Sequence, residues 1–285
     1  MLHQTRTGWF FASPYIIFFL LFSAYPIIFS LNLVFHRWNI ISPMEFVGLE
    51  NIRYLLDDPL FWKSIKNTLW FLFIHIPLQV VVALVLANTL NEKIRGVMFF
   101  RASFFLPVVI SGVVVTILWK NLYSTETGLL NNILTLAGLR KVPWLTDPTW
   151  AMPSIAIMAT WKNVGLYTVL FLSGLQGIPR YLYEAAKLEG ASKFQQFIHI
   201  TIPMLNPVLI MVVILSTIGG FNLFIEPYVM TGGGPVNSTL SIVLYIYKQA
   251  FSFFKMGYAA TIGFALALII FSVTLIQRQL IEKNY

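Results

Sequence analysis

Between Gly177 and Pro207 the chain reads GIPRYLYEAAKLEGASKFQQFIHITIPMLNP, a polar interlude between two long apolar runs. Pro179 suits a helix start, because its ring fixes φ and removes a donor, and Tyr181 to Glu189 are good helix formers. Gly190 then permits a break. Ser192 to Ile200 makes a second amphipathic stretch, with Phe194, Phe197 and Ile198 on one side and Lys193, Gln195, Gln196 and His199 mostly elsewhere, before Pro203 begins the next run. The spacing predicts a short helical elbow over residues 180–200. Glu184 falls near a helix start, where the backbone dipole favours a carboxylate, and small Ala185 and Ala186 leave room for another surface. By periodicity alone, an elbow resting on lipid headgroups and one docked to a partner fit equally well.

Working outward, the apolar runs on either side are long enough to cross a bilayer. Hydrophobic residues make up 58% of the 285 and charged ones 11%, with a mean hydropathy of +0.76, too little polar surface to coat a soluble globule of this size. A span needs about 20 apolar residues at about 1.5 Å of rise each. Six runs meet that length, at about residues 9–35, 67–91, 102–119, 151–176, 203–226 and 257–277. The apolar stretch from Leu240 to Tyr247 is too short to cross and is expected to be a loop element at the membrane interface. The first run, with Pro14 and Pro26 and no small-residue cleavage site, reads as a retained span instead of a signal peptide. Several tryptophans fall near the proposed ends, where amphipathic rings settle at headgroup level.

Orientation follows from Lys and Arg. With the N-terminus inside, Arg6, Lys93, Arg95, Arg101, Arg180, Lys187, Lys193, Arg278 and Lys283 are cytoplasmic, nine of the nineteen basic residues, another nine are outside, and Lys162 lies within a span. The inner pieces are much shorter, so their basic density is higher, which places both termini and the elbow in the cytoplasm. The basic residues are scattered singly, so the net charge of +8 suits anionic headgroups and not nucleic acid. With no cysteine there is no disulfide, thiol nucleophile or thiolate metal site. No phosphate-cradling G-x-x-x-x-G-K-[ST] loop, H-E-x-x-H or G-x-S-x-G occurs, so the chain is not expected to be an enzyme or to hydrolyse ATP.

Glu184, Ala185 and Ala186, followed by Gly190, Ile200, Pro203 and Pro207, resemble the EAA motif of permease subunits in bacterial ABC importers. Phe46 to Asn51 (FVGLEN), Phe61 to Thr68 (FWKSIKNT), the pair Leu106 and Pro107, and Thr231 to Pro235 (TGGGP) extend the resemblance along nearly the whole chain, towards the carbohydrate-importing branch and the maltose permease subunit type. Glu189 stands where that family usually has Asp, and Ile202 where it has Leu. The resemblance implies an all-α membrane protein with six transmembrane helices of the type I ABC importer permease fold, in a bacterial or archaeal cytoplasmic membrane. It implies that the elbow, with Glu184, Ala185, Ala186, Gly190 and Pro203, is the coupling helix docked in an ATPase cleft. The implied partners are a second, different permease chain, two ATPase subunits that hold ATP and Mg, and an extracytoplasmic sugar-binding protein. This chain itself is expected to bind no cofactor or metal.

Polar residues within spans are costly against lipid, so Lys162, Asn163, Ser216 and Asn222 are expected to face an interior or a partner. Gly219 and Gly220 either admit a flat sugar to the backbone or serve close helix packing. In the maltose subunit type, Asn163, Ser216, Gly219 and Gly220 fall where sugar is contacted. The ammonium of Lys162 has three outlets: to snorkel, to pair with a carboxylate or to bind an anionic substrate; beside Trp161, a structural or gating role is expected. A sugar phosphate or acidic sugar is the alternative cargo, and an ion-coupled secondary transporter the rival class, with Glu226 its one acidic candidate. His75 reads as a satisfied packing residue.

Overall fold

The computed structural model describes residues 2–92 and 96–282, with side chains from Trp9 to Gln279 outside that break. Lys93, Arg95 and Lys283, which enter the orientation count, lie outside the described residues. The chain divides into two compact units, Met1–Phe61 with Tyr245–Leu268, and Trp62–Leu244 with Ile269–Tyr285.

The first unit begins with α1 (Leu2–Phe19), a π turn over Leu20–Ala24 and α2 (Tyr25–Leu33). Pro26 has no N–H to give and its ring presses on the preceding turn, and the widened π turn sits directly before it. Trp9–Leu33 is apolar throughout, yet its large side chains are mostly exposed, as for a helix solvated by lipid. A two-stranded hairpin pairs β1 (His36–Arg37) with β2 (Glu45–Phe46), and α3 (Glu50–Asp57) follows. Within the FVGLEN segment, Asn51 donates through Nδ2 to the carbonyls of Val34 (2.9 Å) and His36 (3.0 Å), fastening α3 to the end of α2.

Asp58, buried, accepts the Leu60 N–H at 2.9 Å at the start of α4 (Pro59–Asn91) and also the hydroxyls of Tyr245 and Tyr258. Burial, and then the Asp58 carboxylate, push the Tyr245 hydroxyl above its ordinary pKa, which keeps it a donor. α4 opens eight residues before the apolar run at residue 67, because Pro59 at the first position and the Asp58 cap start a helix where hydropathy is still low.

In the second unit, α5 (Val97–Val109) and α6 (Gly112–Leu122) are bent by 99° about Ile110 and Ser111. The run expected as one straight span over residues 102–119 is therefore broken: Ile110 and Ser111 are extended, and α6 restarts at Gly112. After α7 (Leu129–Leu136), buried Asn131 bonds to Thr125 and Val142 carbonyls and accepts the N–H groups of Val142 and Trp144, closing the loop that leads to α8 (Pro148–Gln176). α8 starts at Pro148 under an Asp147 cap (Thr149 N–H to Oδ1, 2.7 Å) and is the most buried of the long helices. Gly165 lets α5 lie against it; a Cβ there would strike the Phe104 carbonyl.

The elbow comprises α9 (Arg180–Leu188), α10 (Lys193–Gln196), a π turn over Phe197–Thr201 and α11 (Ile202–Met204). α12 (Asn206–Phe221) and α13 (Ile225–Met230) follow, interrupted at Asn222–Phe224. The stretch from Leu240, expected at the lipid interface, instead leads into α14 (Ile242–Tyr247), with Leu240, Ile242 and Leu244 buried in protein. Its backbone is satisfied from α4: Asn67 Nδ2 donates to Asn237 O (2.8 Å) and Leu240 O (3.0 Å), and Thr68 Oγ1 accepts the Ile242 N–H (3.1 Å). With Lys63 Nζ on Val236 O (2.7 Å), the FWKSIKNT segment anchors the residues that directly follow TGGGP. α15 (Met256–Glu282) ends the chain. Counting the bent pair as one, six elements are long and apolar enough to cross a membrane among the described residues.

Candidate functional site

The six path residues singled out in the sequence, Lys162, Asn163, Ser216, Gly219, Gly220 and Asn222, line one cavity of about 410 Å³ in the second unit. Its walls are α4 (Phe71, His75), α8 (Ala159 to Tyr167), the end of α12, and α13 with its lead-in (Leu223 to Glu226). α8 supplies Asn163, whose Nδ2 donates to Ala159 O at 2.9 Å one turn back, leaving its amide oxygen for a ligand. Asn222 does the same with Ile218 O at 2.8 Å. Ser216 is buried, and its Oγ has no hydrogen-bond partner. An unsatisfied buried hydroxyl costs about 1–3 kcal/mol, so a cavity wall that keeps one is suited to a hydroxyl-bearing ligand.

The two glycines divide their roles. A Cβ on Gly219 would meet nothing within 4 Å, whereas one on Gly220 would strike Leu72 of α4. Gly220 thus permits close helix approach, and Gly219 bares its backbone to the cavity. His75 is buried, stacked on Phe71 with ring centroids 4.9 Å apart, and its Nδ1 lies 2.8 Å from Thr160 Oγ1. It is satisfied, as its sequence context indicated, and yet it also forms part of the wall.

Lys162 Nζ faces Glu226 Oε1 at 3.5 Å. In the sequence alone Glu226 stands apart as an ion-site candidate, and Lys162 has no assigned partner. The signal was present: each is the one charge of its sign in its own apolar run, on neighbouring runs. Phe71 and Tyr167, also on the wall, carried no signal, since aromatic residues are abundant in every span.

The elbow residues form a separate group. Glu184 and Ala185 are exposed on α9 and Ala186 is half-buried, while Leu182 and Tyr183 on the opposite face pack inward. Gly190 takes φ +84°, a left-handed conformation that favours glycine, with open space beside it. Ser192 begins α10 with a reciprocal cap: Gln195 N–H to its Oγ (3.3 Å), and its own N–H to Gln195 Oε1 (2.8 Å). Pro203, half-buried, follows the π turn, and Tyr183 Oη lies 2.9 Å from Thr201 Oγ1, tying the two arms together.

One apolar cluster joins the two groups. Leu182, Tyr183 and Ile200 of the elbow pack on Ala83 and Ala87 of α4, Val164 to Leu175 of α8, and Leu205 and Val212. Tyr167 belongs to this cluster and to the cavity wall alike. α8 passes from Asn163 to its end at Gln176 over about 20 Å, at 1.5 Å per residue.

The family profile described as binding-protein-dependent transport system inner membrane component matches residues 5–283. The chain is 40% identical over 276 residues to the lactose transport system permease protein LacF of Rhizobium radiobacter, covering 95% of this chain and 92% of that one. It is 38% identical over 271 residues to the probable ABC transporter permease protein YurN of Bacillus subtilis, covering 93% of each. Among solved structures, a chain of a bacterial ABC transporter involved in the import of the acidic polysaccharide alginate superposes with a TM-score of 0.82 at 24% identity, over 99% of this chain and 98% of that one. That likeness establishes the fold.

Proposed function

Because the chain belongs to the family of binding-protein-dependent transport system inner membrane components, and is thus a membrane permease of an ABC importer whose ATP hydrolysis is carried out by partner subunits, we propose that its cargo is carbohydrate and that the cavity between α4, α8 and α12 is the path. The observation that carries this reading is the convergence of Asn163, Ser216, Gly219 and Asn222 on one cavity whose wall shares an apolar cluster with the elbow. Free amide oxygens, an unpartnered hydroxyl, bare backbone and flanking aromatic rings suit the alternating polar rim and apolar faces of a sugar. The lactose permease resemblance supports the same class of cargo.

In this reading the elbow lies in the cytoplasm. Exposed Glu184 and Ala185 meet an ATPase subunit, and left-handed Gly190 sets the angle between the two arms. A second permease chain completes the path, two ATPase subunits hold ATP and Mg, and a binding protein delivers sugar from outside. ATP draws the elbows together, and the shared cluster tilts α8 and α12 between inward-open and outward-open poses. This chain holds no cofactor of its own in that cycle.

The test uses the complete complex in proteoliposomes with labelled oligosaccharides. Glu184→Lys and Gly190→Val are each expected to leave the chain in the membrane, to abolish stimulation of ATP hydrolysis by the loaded binding protein, and to lower uptake at least about fivefold, the low end of a coupling free energy of about 1–3 kcal/mol. Uptake at the wild-type rate in a complex carrying both changes overturns the coupling role.

A further inference from the structure

The cavity wall carries one lysine and one carboxylate, and they face each other. Lys162 on α8 and Glu226 on α13 are 3.5 Å apart, with only 16% and 11% of their side chains exposed. Room for the ammonium is made by a third element: a Cβ on Gly112 of α6 would come within 2.8 Å of Lys162 Nζ. The polar groups beside the pair, on Asn163, Ser216 and Asn222, are amides and a hydroxyl and carry no charge.

Left bare in a low-dielectric recess, an ammonium would attract any anion small enough to enter. Held by Glu226, its charge is cancelled locally, and a ligand carboxylate would have to displace the protein's own. The single 3.5 Å contact leaves other ammonium hydrogens for neutral hydroxyls, so the pair still offers hydrogen bonds to an uncharged sugar. We propose that Glu226 is a specificity-determining residue: by pairing with Lys162 it makes the path electroneutral, so that uncharged saccharides enter and carboxylated ones are turned away. This rests on the carbohydrate reading of the cavity.

The measurement is direct binding to the permease–ATPase complex in nanodiscs, without binding protein, so that the latter's selectivity does not enter. The probes are neutral disaccharides (lactose, maltose, trehalose) and matching glucuronate-bearing disaccharides, and the readout is the ratio of their affinities. Wild type is expected to favour the neutral member at least about tenfold, a modest effect for like charges brought together. Glu226→Gln is expected to invert that ratio, and Lys162→Gln, which leaves the carboxylate bare, to widen it about tenfold. The swap Lys162→Glu with Glu226→Lys restores the pair and is expected to keep the wild-type preference. An unchanged ratio in either single variant overturns the charge assignment and leaves the carbohydrate path standing; should one variant fail to assemble, the other decides. Absence of binding by any disaccharide to wild type overturns the carbohydrate reading itself, and this inference with it.

Discussion

Ser216 and Gln79 are both buried, and neither has a hydrogen-bond partner for its side-chain polar atoms, yet they differ in what lies beside them. Ser216 opens on the cavity. Gln79, one turn beyond His75 on α4 and one turn short of Ala83, falls between the polar wall and the apolar cluster below it. A buried amide with neither end satisfied costs about 1–3 kcal/mol, and an apolar side chain of the same shape removes that cost. Gln79→Met is therefore expected to raise the thermal midpoint of the purified complex by a few degrees, read by fluorescence-detected unfolding; a lower midpoint would mean that the amide is satisfied in the assembled protein. Residue identities were legible in the sequence where chemistry was out of place: Lys162, Asn163, Ser216 and Asn222 stand out against lipid-like neighbours. Gln79 is equally out of place but is not legible from the sequence, because one amide in an apolar run looks like any other until its surroundings are known.

The long helices were readable from hydropathy because the bilayer imposes one length on all of them, whereas breaks are decided by contacts. α5 lies on α8 at Gly165 and α14 is bonded to α4 at Thr68, contacts with partners distant in sequence that no window of residues contains. The segments FWKSIKNT and TGGGP are each weak as motifs; side chains of the first bond the carbonyls of Val236 and Asn237, the two residues that directly follow the second. Glycines test this element-level packing. Gly165→Ala sets a Cβ against the Phe104 carbonyl and is expected to cost about 1–3 kcal/mol, as overpacking does, seen as a lower unfolding temperature. Gly219→Ala meets open space and is expected to leave that temperature unchanged while narrowing the cavity. Equal shifts for the two would contradict the assigned contact of α5 with α8.

At the scale of the whole molecule, the orientation read from basic residues becomes measurable because the chain has no cysteine to remove. Leu136, 89% exposed after the bent pair, and Leu188, 90% exposed on the elbow, are separated by α8 and offer single labelling positions. A membrane-impermeant maleimide is expected to modify Leu136→Cys in intact cells and Leu188→Cys only after permeabilisation; the reverse pattern would put the elbow outside and end its role as a docking arm. α8 carries Lys162 and Asn163 at mid-length and continues unbroken to the root of the elbow. Over a rod of about 20 Å, at 1.5 Å per residue, a tilt of roughly ten degrees displaces the far end by about 3.5 Å, the reach of one ion pair. In the proposed cycle, a displacement of the elbow by an ATPase would therefore travel along the same helix that holds the Lys162 half of the Lys162–Glu226 pair, so cargo discrimination and mechanical drive share one shaft.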